Sequence, residues 1–396
     1  MLWNETQLQE LIIDISTTEL RKQRPSARIT PQNLEGDFLD PKHNLNLDSL
    51  ELFQIATQVA LFFQLHETDS EMKLLEDVSV SHWITTIQQS RNLNNSSLTF
   101  QTSGSTGQPK LITHSLALLS REAELWASYL DKTETLFRTV PTHHIYGFMF
   151  TILLPQKLGL TCQDARQTLA HSLFTKAPEN SLIITLPDWI HAFNQSGMQA
   201  GPNITTITST APCPIELQSA SIENGIAKIG HIYGSSETRG IGVRWDKEVT
   251  FELLPFIKKS SHDALKYITE NNEEITLDVQ DNLSFCDESH FTIAGRKDNL
   301  IQVGGYNISP QAIKEKLRAC PHIKDAEIRP FDSPTGTRLK AFIVPKEPRH
   351  IRKEEIQSFI QSNLRTEERP VDLAFGDEVP TNTMGKPADW PLQSQS

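Results

Sequence analysis

The section of the chain up to Ser90 carries a helical pattern of apolar positions. Between Asp48 and Leu65, apolar residues recur every three or four positions, which is the spacing of a helix that buries one face. Asp48 and Glu51 form a start signal, because the aspartate can accept a hydrogen bond from the N3 amide while the glutamate reaches back to the first free donor. We therefore expect helices in this section, followed by a polar linker over residues 92–97.

A different pattern begins at Leu98, where short apolar or β-branched runs alternate with helical segments. The clearest runs cover residues 182–186, 204–208 and 226–232, and turn residues follow them. Such runs are typical of buried strands in an α/β sheet. We expect the loops after these strands to hold ligands, because ligands bind at the carboxyl ends of strands in such folds.

The last section, after Arg296, predicts a small α+β unit. Ser309 and Pro310 form a cap followed by a proline at the first helical position. A strand candidate over 339–344 and an amphipathic helix over 354–364 follow. Because a chain of 396 residues is too long for one ordinary core, several domains are expected. We predict three domains, over residues 1–92, 93–296 and 297–396.

The composition is that of a globular protein, with 37% hydrophobic and 22% charged residues. No apolar run approaches the roughly 20 residues of a bilayer span, and the N-terminus lacks the features of a signal peptide, so we expect a cytoplasmic protein without a membrane span. The formal net charge of −12 disfavours nucleic acid as a partner, because such binding needs basic residues to neutralise phosphates. Scattered cysteines predict neither disulfides nor a zinc site; they are Cys162, Cys213, Cys286 and Cys320.

A loop rich in glycine and hydroxyl residues follows the strand candidate at Leu98. The sequence from Leu98 to Lys110 is LTFQTSGSTGQPK, in which the glycines allow unusual backbone angles and the hydroxyls supply donors. Amides and side chains can then converge on an anion, although the segment is not a Walker A loop and a polar surface loop is the simpler alternative. The phosphate-binding candidates are Thr102, Ser103, Gly104, Ser105, Thr106, Gly107 and Lys110.

This loop resembles the phosphate loop of the adenylate-forming enzymes, a superfamily of acyl-CoA synthetases, acyl carrier protein ligases, peptide-synthetase adenylation domains and luciferases. Further segments resemble that superfamily's motifs, in the same order along the chain. The resemblance covers roughly Leu98 to Trp390. It implies an α/β adenylation core with a small α+β lid, and it implies ATP and Mg²⁺ as cofactors of an AMP-forming ligase.

Two segments resemble motifs around the acyl group and the adenine. In PTHHIYG, over residues 141–147, the resemblance places His144 beside the substrate carboxylate, whereas a lone histidine among aromatics is more often a core residue. In TSTAP, over 208–212, it places Ser209, Thr210 and Ala211 against adenine, with the first two at positions often held by glycine.

The segment YGSSET resembles the superfamily's motif for nucleotide and metal. It offers an aromatic face for adenine, hydroxyls for phosphate and a carboxylate, Glu237, suited to Mg²⁺. Alone, it would indicate a strand-terminal turn with an exposed glutamate. The resemblance adds Thr106 as a second metal ligand. The segment comprises Tyr233, Gly234, Ser235, Ser236, Glu237 and Thr238.

The remaining motifs concern the ribose, the hinge and the reacting centre. The resemblance assigns Asp281 to the ribose, with Asp278 as a rival. The segment GRKDNLIQVGGYNISP resembles the hinge motif, which implies that Arg296 contacts the ribose and that Asp298 is the hinge. In the same segment Gly304 and Gly305 leave room for a pantetheine arm. In PTNTMGK, Lys386 is expected to polarise the α-phosphate and the substrate carboxylate, as a catalytic residue beside Glu237 and His144.

The N-terminal section departs from the superfamily pattern, since members usually carry well over a hundred additional residues before the phosphate loop. LNLDSLEL, over 45–52, resembles the acyl carrier protein motif, and 78–87 resembles the last carrier helix, which would make Ser49 a site for 4′-phosphopantetheine. Alternatively, Asp48 and Ser49 are a capping pair, or the helix is a remnant of the family's own first subdomain.

These expectations combine into an acyl- or aryl-acid:AMP ligase with a helical carrier-like domain, a truncated adenylation core and a mobile lid. A carboxylic acid would be adenylated, and its acyl group would pass to a phosphopantetheine thiol of a carrier protein. The chain's own N-terminal domain is one candidate for that carrier. Free CoA is an alternative acceptor, and a degenerate nucleotide-binding or docking module is a third possibility. His144 and three nearby aromatics predict an aryl or medium-length acyl pocket: Tyr146, Phe148 and Phe150.

Overall fold

A computed structural model of the protein describes most of the chain. The described residues are 3–24, 29–34, 45–102, 110–260, 264–297, 300–333, 336–348, 351–380 and 388–393. None of the helices within these ranges is long and apolar enough to cross a bilayer.

Three helices open the chain: α1 (Glu5–Gln23), α2 (Ser49–Phe63) and α3 (Val80–Leu93). The predicted start of α2 is confirmed, because the Asp48 carboxylate accepts hydrogen bonds from the amides of Leu50 and Glu51 at 2.9 and 2.8 Å. The Glu51 carboxylate accepts in turn from the Asp48 amide at 3.0 Å. Short 3₁₀ turns cover 31–34, 65–68 and 71–75.

A nine-stranded mixed sheet forms the centre of the protein, in the order β13-β14-β9-β8-β7-β6-β5-β3-β4. Neighbouring strands from β7 to β4 run parallel, whereas the pairs from β7 to β13 run antiparallel. The three predicted strands are confirmed as β5, β6 and β7. The sheet comprises β3 (Thr135–Arg138), β4 (Cys162–Asp164), β5 (Ser181–Thr185), β6 (Thr205–Thr208), β7 (Lys228–Ser235), β8 (Arg239–Trp245), β9 (Phe251–Leu253), β13 (Asp281–Phe285) and β14 (His290–Arg296).

Helices and two smaller sheets surround this centre. The hairpin of β1 (Ser97–Thr102) and β2 (Lys110–Ser115) precedes it, and β10 (Ile257–Lys259), β11 (Leu265–Ile268) and β12 (Glu274–Leu277) form a three-stranded sheet. The helices are α4 (Leu116–Tyr129), α5 (Ile145–Phe148), α6 (Leu154–Leu158), α7 (Ala170–Lys176), α8 (Pro187–Gln195) and α9 (Ile215–Glu223). The predicted α/β fold is therefore confirmed.

The C-terminal unit has a hydrophobic core of its own, formed from residues between Val303 and Leu364. Its predicted helix start is confirmed, since the Ser309 hydroxyl accepts a hydrogen bond from the Ala312 amide at 3.2 Å. The elements are β15 (Ile301–Val303), β16 (Tyr306–Ile308), α10 (Pro310–Arg318), β17 (Ile323–Ser333), β18 (Gly336–Pro345), α11 (Lys353–Asn363) and β19 (Asp372–Phe375).

The N-terminal helices share one hydrophobic core with the hairpin and the large sheet. At its centre the ring of Phe62 lies 5.0 Å from Phe63, 5.3 Å from Phe100 and 5.9 Å from Phe148, measured between centroids. Edge contacts of this kind add to the burial of apolar area. A carrier-like domain over residues 1–92 is not confirmed, because the apolar faces of these helices are packed into the same core as the hairpin and the large sheet.

Truncation of Phe62 tests this shared core. Phe62 is 5% exposed, so we expect Phe62→Ala to lower the free energy of unfolding by about 3–5 kcal/mol through lost burial and a cavity. Phe53 on the same helix is 52% exposed, and Phe53→Ala should cost no more than about 0.5 kcal/mol. Urea unfolding followed by circular dichroism measures both. Equal midpoints for the two variants would contradict the shared core.

Candidate active site

Four parallel strands bring the predicted site residues to one edge of the large sheet. Strands β3, β5, β6 and β7 lie side by side and run in the same direction. The segments 139–144, 209–211 and 233–238 lie at or after their carboxyl ends. This edge is where ligands bind in folds of this type. The structure therefore brings together three of the segments that the sequence singled out.

The loop after β6 adopts a conformation that is unusual for its residues. Thr210 has a φ of +70°, in the left-handed region that β-branched residues rarely occupy. The preceding Ser209 is buried, and its hydroxyl donates to the carbonyl of Ile232 at 2.9 Å. Thr210 thus takes the backbone conformation of a glycine at a position that glycine often holds in the superfamily. Such strain is found at functional sites that the surrounding structure holds in place.

The predicted adenine and ribose residues lie in direct contact. The Tyr233 hydroxyl donates a hydrogen bond to the Asp281 carboxylate at 2.7 Å. Asp281 is in turn the cross-strand partner of Arg296 in the β13/β14 pair. Tyr233 is fixed from behind by Phe251 and Phe291, whose ring centroids lie 5.8 and 5.4 Å from its own. This contact favours Asp281 over its rival Asp278.

Hydrogen bonds within the β7/β8 turn hold the segment that carries Glu237. The Ser235 amide donates to the Thr238 hydroxyl at 3.1 Å, and the Thr238 amide donates to the Ser235 hydroxyl at 3.2 Å. Gly234 is required here, because a Cβ atom would collide with the carbonyl oxygen of Arg239. Glu237, at the tip of the turn, is half-buried. Its carboxylate therefore keeps access to solvent on a fixed backbone.

His114 of β2, which our sequence reasoning did not single out, ties the hairpin to this turn. Its Nε2 atom lies 2.5 Å from the carbonyl oxygen of Ser236, and its Nδ1 lies 3.4 Å from the Arg239 guanidinium. Burial lowers the pKa of His114 to about 4, so the ring is neutral at pH 7. A neutral ring with its proton on Nε2 donates to Ser236 and accepts from Arg239. His114 lies four positions after Lys110 in β2, so the two side chains share one face of the strand. That spacing is the sequence signal by which His114 could have been predicted.

Arg239 and Glu122 support the turn from below. Arg239 has a φ of +63°, and its guanidinium lies 4.7 Å above the ring of Tyr267 and 3.8 Å from the Glu122 carboxylate. Glu122 of α4 is buried, and its carboxylate accepts from the Gly240 amide at 3.2 Å and the Trp126 indole at 3.3 Å. Burial raises the pKa of Glu122. Helix α4 is thereby connected to the turn through polar contacts.

Several predicted site residues lie outside the described part of the chain. The β1/β2 register pairs Thr102 with Lys110, so the intervening phosphate-loop candidate begins and ends at the tip of the hairpin. Lys110 itself is exposed. The side chains of Thr102 and Arg296 also fall outside the description. Predictions remain predictions for Ser103, Gly104, Ser105, Thr106, Gly107, Asp298 and Lys386.

His144 lies after β3, at the N-cap of α5. It keeps exposed surface, while desolvation by the surrounding protein lowers its pKa. The adjacent ring of His143 lies 4.2 Å away. Within the described residues, both ring nitrogens of His143 are buried without a hydrogen-bond partner. His143 therefore joins His144 as a candidate ligand-binding residue that the sequence did not reveal.

The helix after His144 is anchored at the same edge of the sheet. Its α5 and α6 segments are joined by a π-helical turn over Met149–Leu153, a feature frequent at functional sites. The Tyr146 hydroxyl donates to the carbonyls of Thr185 and Ile207 at 3.0 and 2.7 Å. Tyr146, Phe148 and Phe150 are all buried in the shared core. Their rings pack in this core, and their role in lining an acyl pocket stays a prediction.

The C-terminal unit reaches this edge through Gly305, in the turn between β15 and β16. Gly305 has a φ of +84°, and a Cβ atom added to it would lie 3.2 Å from the Thr210 hydroxyl oxygen. The neighbouring Gly304 has a φ of +55°, and an added Cβ would have no described atom within 4 Å. Gly305 therefore lies against the strained loop, whereas Gly304 faces open space.

The protein ligands at this edge suit a metal ion that binds together with a phosphate-containing substrate. Among the described residues, no group of three or more histidine, cysteine, aspartate or glutamate side chains could hold a metal ion. Mg²⁺ is commonly held by one or two carboxylates together with substrate phosphates, rather than by a protein cage. The single half-buried carboxylate of Glu237 suits that arrangement.

Comparison with known proteins identifies the class to which this site belongs. A model of the family described as AMP-binding enzyme matches residues 29–266, more than half of the chain. The chain belongs to this family of AMP-binding enzymes. The match includes residues 29–92, so most of the N-terminal section lies within the family's own region. This supports the alternative that these helices belong to the family's first subdomain.

Two curated relatives cover nearly the whole chain. The 4-coumarate–CoA ligase of Halorhodospira halophila is 33% identical over 360 residues, which cover 90% of this chain and 91% of the relative. The 4-coumarate–CoA ligase of Rhodobacter capsulatus is 30% identical over 398 residues, which cover 97% of this chain and 100% of the relative. Together with the family match, they establish an AMP-forming acid–thiol ligase of the acyl-CoA ligase type.

Solved structures share the fold at lower sequence identity. The o-succinylbenzoate CoA synthetase of Bacillus subtilis has a TM-score of 0.58 and 19% identity, and the match covers 73% of this chain and 67% of that one. The amide bond synthetase McbA of Marinactinospora thermotolerans also has a TM-score of 0.58, with 16% identity, covering 74% and 68% respectively. These likenesses show that the chain has the adenylate-forming fold.

The pH dependence of the free energy of unfolding tests whether His114 is neutral in the folded protein. Its pKa is about 4 in the folded protein and near 6.5 in the unfolded chain, so its contribution is present above pH 6.5 and is lost as the pH falls toward 4. We expect the wild type to lose on the order of 3 kcal/mol more than His114→Gln across this window, because glutamine keeps a donor but does not titrate. Urea midpoints at several pH values measure the difference.

Buried His231, whose pKa is lowered to about 3 by burial, is common to both proteins and cancels in the comparison. His66→Gln, at an exposed histidine, serves as the matched control and should follow the wild type. Identical pH dependence of His114→Gln and the wild type would show that His114 is not held neutral.

Proposed function

We propose that the protein is an ATP-dependent acid–CoA ligase that first forms an acyl-adenylate and then passes the acyl group to the thiol of CoA. The observation that carries the proposal is the convergence of separate chain segments at one sheet edge. The Tyr233 hydroxyl meets the Asp281 carboxylate at 2.7 Å, and Gly305 of the C-terminal unit lies against Thr210. A nucleotide, an acid and a thiol all need access to such a shared edge.

In the first step, a carboxylate oxygen of the acid attacks the α-phosphorus of ATP, and the bond to pyrophosphate breaks. Tyr233 and the 209–211 loop would hold the adenine, and Asp281 with Arg296 the ribose. The hydroxyl-rich loop over 102–110 would hold the departing phosphates. Fixed donors and cations at such a centre lower the barrier because they stabilise charge as it develops. Lys386 is proposed for that role.

Glu237 is proposed to hold the Mg²⁺ that arrives with ATP, with Thr106 as a second ligand. The metal would neutralise charge on the phosphates. The fixed turn supports this role, since the reciprocal Ser235–Thr238 hydrogen bonds and the His114 contact limit movement of the backbone beneath Glu237. A carboxylate placed in advance loses little entropy when it binds the metal.

In the second step, the thiolate of the acceptor attacks the acyl carbon, and AMP leaves. Rotation of the lid, residues 297–396, about Asp298 is proposed to exchange the surface that carries Lys386 for one that admits the thiol. Closure of this hinge type is common among enzymes. Gly304 and Gly305 are proposed to leave room for a narrow pantetheine arm once the lid has rotated, because in the present arrangement Gly305 lies against Thr210 and the space beside it is filled.

CoA is the favoured acceptor, and transfer to a carrier protein is the alternative. Two near-full-length relatives are named CoA ligases. Ser49 is exposed, but the amides of Leu50 and Glu51 are already bonded to the Asp48 carboxylate at 2.9 and 2.8 Å. Modification of Ser49 by 4′-phosphopantetheine is not needed for transfer to free CoA and belongs to the carrier alternative.

Hydroxycinnamic acids are the first substrate class to test. The relatives' names specify 4-coumarate, and this supports an aryl acid for the present chain as well. His144 and His143, at the carboxyl end of β3, are proposed to lie beside the acid. A neutral imidazole can donate to a carboxylate oxygen without the tight ion pair that would slow the attack.

An exchange assay tests the function and the substrate class together. We expect 4-coumarate to support ATP–pyrophosphate exchange more strongly than fatty or hydroxybenzoic acids, and we expect CoA to be converted to the thioester. Ser49→Ala should leave both activities unchanged. If none of these acids supports exchange, the result would favour a degenerate nucleotide-binding or docking module instead. A mass adduct on Ser49 after treatment with a phosphopantetheinyl transferase and CoA would favour the carrier alternative.

The two adjacent glycines offer a matched test of the thiol passage. Both adopt left-handed backbone angles, so replacing either by alanine costs about 1–2 kcal/mol of backbone strain. Only Gly305→Ala adds an atom against Thr210. We expect the ratio of thioester formation to adenylation to fall at least about tenfold in Gly305→Ala relative to Gly304→Ala, the equivalent of about 1.4 kcal/mol, and the ratio cancels any effect of the Thr210 contact on nucleotide binding. Equal ratios in the two variants would contradict a passage at Gly305.

A further inference from the structure

One buried carboxylate of the N-terminal helix holds the loop that leads to the two histidines. Asp14 of α1 is 1% exposed, and its Oδ2 atom accepts hydrogen bonds from the Thr142 amide at 2.7 Å and the Thr142 hydroxyl at 2.9 Å. Thr142 itself is fully buried and precedes His143 directly. The carboxylate thus fixes both the backbone and the side chain of the residue before the candidate acid-binding pair.

Two arginines complete the surroundings of Asp14. An Arg138 nitrogen lies 3.2 Å from Oδ2, and an Arg166 nitrogen lies 2.6 Å from Oδ1. Arg138 also donates to the carbonyl of Val140 at 3.2 Å, so the same cluster holds the loop at a second point. Asp164 pairs with both arginines, at 3.1 and 2.5 Å. Buried charges that are paired in this way avoid the cost of isolated ones.

The geometry of the loop follows from these contacts. Val140 and Thr142 are tied down on one side of the chain, and Tyr146 is tied to the sheet edge on the other. His143 and His144 lie between these fixed points, so their backbone has little freedom to move. Displacing reacting groups by about 1 Å can cost an enzyme a factor of 100, which gives such anchoring a functional consequence.

We propose that Asp14 is a positioning residue for the acid-binding side of the active site, acting through Thr142 on His143 and His144. Helix α1 thereby belongs to the frame of the active site, although no α1 residue was among the sequence-based site predictions. The proposal rests on the proposed function, in which these histidines lie beside the carboxylic acid. We expect Asp14 to affect binding of the acid and not of ATP. Its contacts lie at the end of β3, two strands away from β6, which the adenine loop follows.

The test compares Asp14→Asn with Glu51→Gln in the full-length protein. Glu51 is also a paired carboxylate of the N-terminal section, bound to the Arg24 guanidinium at 2.5 and 2.6 Å, but it does not contact the loop. Exchange kinetics with 4-coumarate give the KM for acid and for ATP separately. We expect Asp14→Asn to raise the KM for acid at least tenfold with the KM for ATP within threefold. Glu51→Gln should leave both within threefold and lower only the melting temperature.

A second pair of variants keeps the test decisive if Asp14→Asn folds poorly. Thr142→Val removes the hydroxyl that donates to Asp14, and Thr142→Ser keeps it. We expect about a threefold or greater rise in the KM for acid with valine, and recovery with serine. Equal shifts in the KM values for acid and ATP in Asp14→Asn, or equal behaviour of the valine and serine variants, would overturn the proposal. Failure of the wild type with every acid would instead overturn the proposed function, on which this one rests.

Discussion

Parallel alignment of four strands is the constraint on which the candidate active site depends. Because β3, β5, β6 and β7 run in the same direction, their carboxyl ends deliver three separate loops to one edge. Backbone hydrogen bonds between the strands fix the positions of these loops relative to one another, whatever side chains the loops carry. Chemistry that brings a nucleotide, a metal and an acid within a few ångströms of one another needs a rigid frame, and the sheet supplies one.

Buried polar contacts then set the shape of each loop. Glu122, His114 and Asp14 belong to three different elements, and each bonds the backbone of a loop at the site. Each of these groups is at least nine-tenths buried, so its hydrogen bonds are protected from competition with water. The left-handed angle of Arg239 persists beside Glu122 and His114, and that of Thr210 follows a residue, Ser209, whose hydroxyl is bonded to the carbonyl of Ile232. The N-terminal helices contribute to this support, since they share one hydrophobic core with the large sheet.

Local signals predicted much of the architecture, whereas contacts between distant residues could not be predicted. The capping pair of Asp48 and Glu51, the apolar runs of β5 and β6, and Ser309 before α10 all act through neighbours in sequence. The hydrogen bonds that support the site join residues 118 to 128 positions apart in the sequence, and no spacing rule reveals such pairs. The carrier-like expectation for 45–52 is not confirmed. Its Asp-Ser pair also fits a plain capping box, in which Asp48 and Glu51 exchange hydrogen bonds with backbone amides.

The most direct measurement is a crystal structure of the full chain with a non-hydrolysable acyl-sulfamate analogue of 4-coumaroyl-adenylate. We expect adenine between Tyr233 and the 209–211 loop, ribose hydroxyls bonded to Asp281, and the aryl end beside His143 and His144. An analogue bound away from the carboxyl ends of β6 and β7, or with its ribose far from Asp281, would rule out an active site at this edge of the sheet.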